Sequence, residues 1–188
     1  MIIGHLPAGY VVSRIVFPRY EARGVAWKPF LWAGLLGSLA PDFDMLYFHL
    51  VDHRRHHHHT YWSHFPIVWA CLLALSTVWL YAARVKNRAA LAFLFSLNGF
   101  IHLILDSIVG DIWWFAPFGS RPFAFFTVAA RYKPWWLNFI FHWSFALEIA
   151  IILWAAWLWR CNRNLTHLKP SLSSYPQAGC VDANGEMD

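Results

Sequence analysis

The sequence predicts an all-α fold, a polytopic membrane helical bundle of about four spanning or partly spanning helices plus re-entrant or interfacial segments, and three observations carry that prediction. First, its 188 residues are 59% hydrophobic and 13% charged. A soluble domain runs at roughly 45–50% and about 25%, so polar groups here could not cover a globule in water. Second, aromatic residues make up 19%, with 13 Trp, and the amphipathic rings of Trp and Tyr favour the membrane–water interface. Third, several apolar runs approach or exceed the ~20 residues needed to cross the hydrocarbon core of a bilayer.

Taken in order, the stretch 2–17 is apolar with Pro7 inside it and Pro18 just beyond. It lacks the basic n-region and continuous apolar core of a signal peptide, so it is expected to belong to the mature protein and to lie at the interface. The segment 29–50 opens at Lys28-Pro29, a good helix start, and is interrupted by Pro41-Asp42-Phe43-Asp44. Proline disfavours continued helix, which predicts a helix of about 30–39 that stops partway across. The runs 65–83 and 135–159 are long enough to span by themselves. The run 89–109 is equally long but carries Asn98, His102 and Asp106. Such groups are costly in hydrocarbon and usually face the bundle interior. The stretch 112–130 is aromatic and punctuated by Pro and Gly, so it too reads as re-entrant or interfacial. From Asn162 the chain is polar without periodicity. The expected organisation is therefore a membrane-embedded domain over 1–160 and a disordered cytoplasmic tail over 161–188.

The net charge of +5 comes from basic residues scattered at the ends of apolar runs, which argues against nucleic acid as a partner. They read instead as topology signals. Arg14, Arg19, Arg23, Lys28, Arg84, Lys86, Arg88, Arg160, Arg163 and Lys169 fall on one side, and Arg54, Arg55, Arg121, Arg131 and Lys133 on the other. The positive-inside rule makes the larger group and the C-terminus cytoplasmic in a multi-pass membrane protein. Cys71, Cys161 and Cys180 form neither a disulfide framework nor a metal knuckle.

Chemistry-bearing residues then gather toward the extracytoplasmic face. His102 and Asp106 are four apart, which on a helix places them one turn apart, about 6 Å along the axis. That spacing suits a metal, and suits equally a buried hydrogen bond between helices. The loop from Asp52 to His64 carries a run of histidines, of which His53, His56, His57 and His58 read as a solvated loop. His59 and His64 are better placed as ligands, because His64 begins a helix that packs beside that of His102. Asp42 and Asp44 follow a helix broken at membrane depth, where irregular backbone is tolerated only if it lines a cavity or is buried in protein. Helix capping is their other available role. His142 and Glu148 point some 120° apart on a helix, so they do not share one ion. His142 reads as an outer ligand or a partner of one, and Glu148 as structural, helix-pairing or proton-handling.

The succession from Gly34 through Pro41-Asp42-Phe43-Asp44, then His59-Thr60-Tyr61-Trp62-Ser63-His64, then His102 to Asp106 with Gly110 and Pro117 downstream, resembles the membrane-bound metal-dependent hydrolases, also described as LexA-binding and inner membrane-associated. The pattern there is PDxD, HRGxTHS and HxxxD followed by Gly and Pro. The likeness covers about 1–118, more loosely to 159. Thr60-Tyr61 replaces the usual Arg-Gly, and Ser63-His64-Phe65 replaces Thr-His-Ser. The resemblance nominates His5, Asp42, Asp44, His59, His64, His102 and Asp106. It extends distantly to zinc-dependent phospholipase C, whose His and Asp ligands surround clustered zinc ions.

The expected function is an integral-membrane metal-dependent hydrolase, an enzyme acting on a phosphoester in a lipid or lipid-linked substrate. Its cofactor would be a divalent metal, zinc first, as one or two ions. His5, Asp42, Asp44, His59, His64, His102, Asp106 and His142 are the candidate ligands, and Asp42 or Asp44 the catalytic carboxylate that bridges metals or orients water. Membrane lipids are the expected partners. A divalent-metal transporter or sensor and a non-catalytic membrane interaction protein are the alternatives, since intramembrane ionisable groups also mark ion routes.

Overall fold

The computed structural model describes residues 3–172, with the side chains of His58 and of 164–172 excepted. It is helical, with an isolated Ile112–Phe123 bridge and no strand among the described residues. The helices are α1 (His5–Val16), α2 (Pro18–Glu21), α3 (Trp27–Leu39), α4 (Asp44–Leu50), α5 (Pro66–Ala82), α6 (Asn87–Asp106), α7 (Leu137–Ile140) and α8 (Ser144–Leu172), with 3₁₀ turns at Pro41–Phe43, His58–Thr60 and Trp62–His64. The chain divides into two compact units, Met1–Ala155 and Ala156–Asp188. In the second, Arg163 lies over the ring of Trp159 at 4.7 Å. Residues 173–188 of the expected tail lie outside the described residues, whereas α8 carries helix as far as Leu172.

Two helices are long and apolar enough to cross a membrane, Asn87–Asp106 and the Ser144–Arg163 part of α8. The Pro66–Ala82 helix is apolar but shorter. α3 ends at Leu39 because Pro41 has no N–H to continue the ladder, and the chain passes through a 3₁₀ turn into α4. The run 135–159, expected to be one span, is not a single helix. Asn138 accepts the backbone N–H groups of Arg131 and Tyr132, both at 2.7 Å, and donates to the carbonyls of Tyr132 and Trp135, so the chain there folds back on itself. Regular helix resumes only at Ser144.

α6 is the central helix, packed by α3 and α5, with α1 against α3. Small residues make these approaches close. At Gly37 on α3 a Cβ would run into the backbone of Phe95 on α6, and at Gly34 it would strike the Ser13 hydroxyl of α1 and approach Asn98. Where apolar side chains gain nothing by leaving lipid for each other, such contact through small residues is a principal means of helix association. At the end of the bundle away from the carboxylates, Phe17, Tyr20, Val25, Phe30, Leu80 and Leu94 form an apolar cluster.

Exposed polar coverage is sparse. Leu153 and Trp154 of α8, Leu75, Val78 and Trp79 of α5, and Trp32 of α3 all present apolar side chains outward. That surface is suited to lipid.

Replacing Gly37 by Ala is expected to push α3 from α6 at a cost of about 1–3 kcal/mol. A lower thermal midpoint for detergent-solubilised protein, relative to wild type, is the measurement that checks it.

Candidate metal centre

The break after α3 places Asp42 in the 3₁₀ turn and Asp44 in the first turn of α4. The turn Trp62–His64 then brings His64 beside them, and α6 supplies His102 and Asp106 one turn apart. Ligand atoms of Asp42, His64, His102 and Asp106 lie within 4.8 Å of one another, a spacing sized for one ion. Only Asp42 keeps appreciable access, with 35% of its side chain exposed against 3% or less for the other three.

Hydrogen bonds on the far side of each ring orient it. Nδ1 of His102 donates to the carbonyl of Ser38 at 2.8 Å, since a carbonyl can only accept. Its Nε2, buried and without a hydrogen bond, sits 2.9 Å from Oδ2 of Asp106 and 3.5 Å from Oδ1 of Asp42. Nδ1 of His59 donates likewise to the carbonyl of Asp111 at 2.9 Å, leaving Nε2 at 3.8 Å from the same Asp106 oxygen. His64 donates from Nδ1 to Asp44 at 2.5 Å and turns Nε2 to within 3.9 Å of Asp106 and 3.7 Å of Asp42. In the neutral ring the second nitrogen carries a lone pair. With each ring neutral, three lone pairs and two carboxylates converge, a set of donors that a cation would satisfy. Backbone or carboxylate acceptors behind ligating imidazoles are the usual means of aiming them at a metal. The residues fit a divalent ion, and nitrogen with carboxylate oxygen is compatible with zinc, manganese or iron.

The remaining nominated residues take supporting positions. Asp44 also accepts from the Ser63 hydroxyl at 2.7 Å, so it holds His64 in place. His5 stacks on His102 with centroids 3.7 Å apart and bonds through Nε2 to the other oxygen of Asp106 at 3.0 Å. Gly110 leaves room for His59, whose Cε1 would lie 2.9 Å from an added Cβ. His142 is not brought into the cluster. Because the run that contains it breaks before Ser144, its Nδ1 meets the Ser144 hydroxyl at 2.9 Å, and its ring lies beside Trp143.

Residues 1–167 match the family described as YdjM inner membrane protein. The chain belongs to that family. No curated protein and no solved structure shows significant similarity to it. An inner-membrane protein of the YdjM family thus carries a His/Asp cluster able to hold a metal ion, two of whose members, His102 and Asp106, lie on a helix long and apolar enough to span.

Two contributors are not identifiable from local sequence, and of a third, Glu148, the sequence shows a helix-pairing residue without its partner. Ser38 and Asp111 act through backbone carbonyls, which any residue type carries. Glu148 of α8 is buried and accepts the N–H groups of Ile3 at 2.6 Å and Gly4 at 3.0 Å. It thereby caps from another helix the start of α1, where amides lack helical partners, and fixes the segment that carries His5. Of the other loop histidines, His53, His56 and His57 are exposed. The backbone N–H of His56 and then its ring hold Asp52 ionised, at a pKa of about 2.

In this YdjM-family chain, His102→Ala/Asp106→Ala is expected to abolish stoichiometric metal binding while His142→Ala retains it. Metal per chain measured by mass spectrometry, with 56–58 replaced in every variant, checks this. The Asp52 interaction lowers a carboxyl from 3.8. Its stabilisation is therefore present above pH ~4 and lost as pH falls through about 2. Hydrogen-exchange protection of the His56 amide across that range is the readout.

Proposed function

We propose that this chain is an integral-membrane, metal-dependent hydrolase of a phosphoester in a lipid or lipid-linked substrate. The observation that carries the reading is the convergence of the Nε2 atoms of His59, His64 and His102 on Asp106, each ring held from behind, with Asp42 alone partly open. A cluster built only to pair helices would have no need of a half-exposed carboxylate at its mouth. The resemblance of the PDxD, histidine and HxxxD segments to metal-dependent hydrolases points the same way. In the proposed topology α5, α6 and α8 span and α3 crosses partway. Residues 1–160 form the embedded domain, the cluster lies toward the extracytoplasmic face, and 161–188 is cytoplasmic.

His64, His102 and Asp106 would hold the ion, with His59 completing the set and Asp42 at its edge. A divalent cation there supplies Lewis acidity to a water and offsets charge on the phosphoryl group. The chain's own residues do the rest. Asp42 accepts the proton of the attacking water as its oxygen bonds to phosphorus. The phosphorus–oxygen ester bond breaks, and the leaving alcohol takes a proton from solvent at the open side. Asp44 and the Ser38 and Asp111 carbonyls keep the imidazoles from turning. His5 holds Asp106 through its second oxygen.

Transport receives less support. The buried polar row of Ser38, His102, Asn98 and Ser13 leads toward Phe30 and Leu94, where the apolar cluster closes the bundle.

Phosphodiester and phosphomonoester lipids presented in mixed micelles, with and without exhaustive chelation, test the proposal. Activity that survives chelation contradicts it. Asp42→Asn is expected to lower kcat about 10²–10⁴-fold, as loss of a general base does, and extra metal should not restore it. Asp44→Asn is expected to weaken metal affinity about 10–100-fold, with activity recovered at higher metal concentration.

A further inference from the structure

Beside the cluster lies a cavity of about 730 Å³ between the Pro41–Asp44 turn, the start of α4, the Trp62–His64 turn, α5 and α6. Its size falls in the range of about 300–1,000 Å³ usual for ligand sites. Tyr47, Val68, Leu72 and Phe95 line it, and Trp69 forms its floor. The floor is built deliberately. Trp69 donates its indole N–H to the Ser63 carbonyl at 2.7 Å, and Gly99 on α6 leaves the space its ring occupies.

The cavity has direction. Apart from tyrosine hydroxyls, its polar lining is Asp44 and Ser63, the pair that holds His64. One imidazole therefore separates this end of the cavity from the converging Nε2 atoms. Of its other lining residues Tyr47, Leu72 and Trp62 are exposed, and Leu46, Leu50 and Leu75 face outward on α4 and α5. An apolar cavity that borders an apolar surface and ends one imidazole away from a candidate cation site matches an amphiphile with a hydrocarbon tail and an anionic head.

We propose that this cavity holds one acyl chain of a membrane phospholipid, with the phosphoester placed at Asp42 and the His/Asp cluster. The choice of acyl chain follows from the surroundings. In an inner-membrane protein, a cavity mouth framed by outward apolar side chains meets acyl chains at close to solvent concentration. Hydrophobic transfer gains little in leaving lipid for such a groove, so Trp69, Phe95 and Tyr47 supply selectivity by packing along the chain. The placement of the phosphoester rests on the hydrolase reading, whereas chain binding does not.

The test uses full-length protein in phospholipid nanodiscs with a phospholipid bearing a diazirine midway along one acyl chain, labelled sites being mapped by mass spectrometry. Labelling is expected to concentrate at Tyr47, Val68 and Leu72, well above Leu153 and Trp154, which face lipid on α8. Leu72→Trp, and separately Val68→Trp, are expected to reduce it to the α8 level while metal per chain stays at the wild-type value, which shows that the fold survives. Labelling no stronger than on α8, or undiminished by either tryptophan while metal is retained, overturns the proposal. So does displacement of the label by a polyprenyl phosphate but not by unlabelled phospholipid. Selective labelling in protein that binds no metal supports the groove and removes the hydrolase reading, so the two fail separately.

Discussion

Asp106 is a carboxylate almost wholly withdrawn from solvent at the end of an apolar helix, and the rest of the centre is organised by that fact. A buried charge is tolerated only when it is paired and hydrogen-bonded. Here one carboxylate oxygen meets His5 and the other faces three imidazoles whose second nitrogens are already committed. The rings cannot turn to donate to Asp106 without abandoning Ser38, Asp111 or Asp44. A positive charge between them, carried by a proton or by a metal, is the arrangement that satisfies both sides.

Holding that arrangement requires backbone precision from four separate stretches of chain. The Ser38 carbonyl reaches His102 because Gly37 lets α3 lie directly on α6. Glu148 reaches the amides that start α1 and so sets the height at which His5 stacks on His102. Gly110 admits His59 beneath the end of α6. The Ser38 carbonyl fixes the ring of His102 directly, whereas Glu148 and Gly110 act on the backbone and the space around His5 and His59.

Asp44 and Ser63 line the apolar cavity, and Asp44 also holds His64 of the polar cluster. Trp62 lines that cavity and belongs to the same turn as Ser63 and His64.

The sequence by itself determined the helical class, because 59% hydrophobic residues with sparse charge leave lipid as the fitting solvent. It also marked the break at Pro41 and the HxxxD pair, since a missing N–H and a four-residue spacing are local properties. His64 was singled out for a similar reason, since its position borders the next helix, and His59 was nominated through the resemblance of its motif. Tertiary structure alone decided what each group does. Asp44 became the holder of His64 instead of a ligand of equal standing, and His142 fell outside because Asn138 diverted the chain before Ser144. The carbonyl partners Ser38 and Asp111 were invisible beforehand, and Glu148, read as structural or helix-pairing, gave no sign that its partners are the amides of Ile3 and Gly4. Backbone acceptors carry no residue signature, and a contact across more than one hundred residues exists only once the helices have packed.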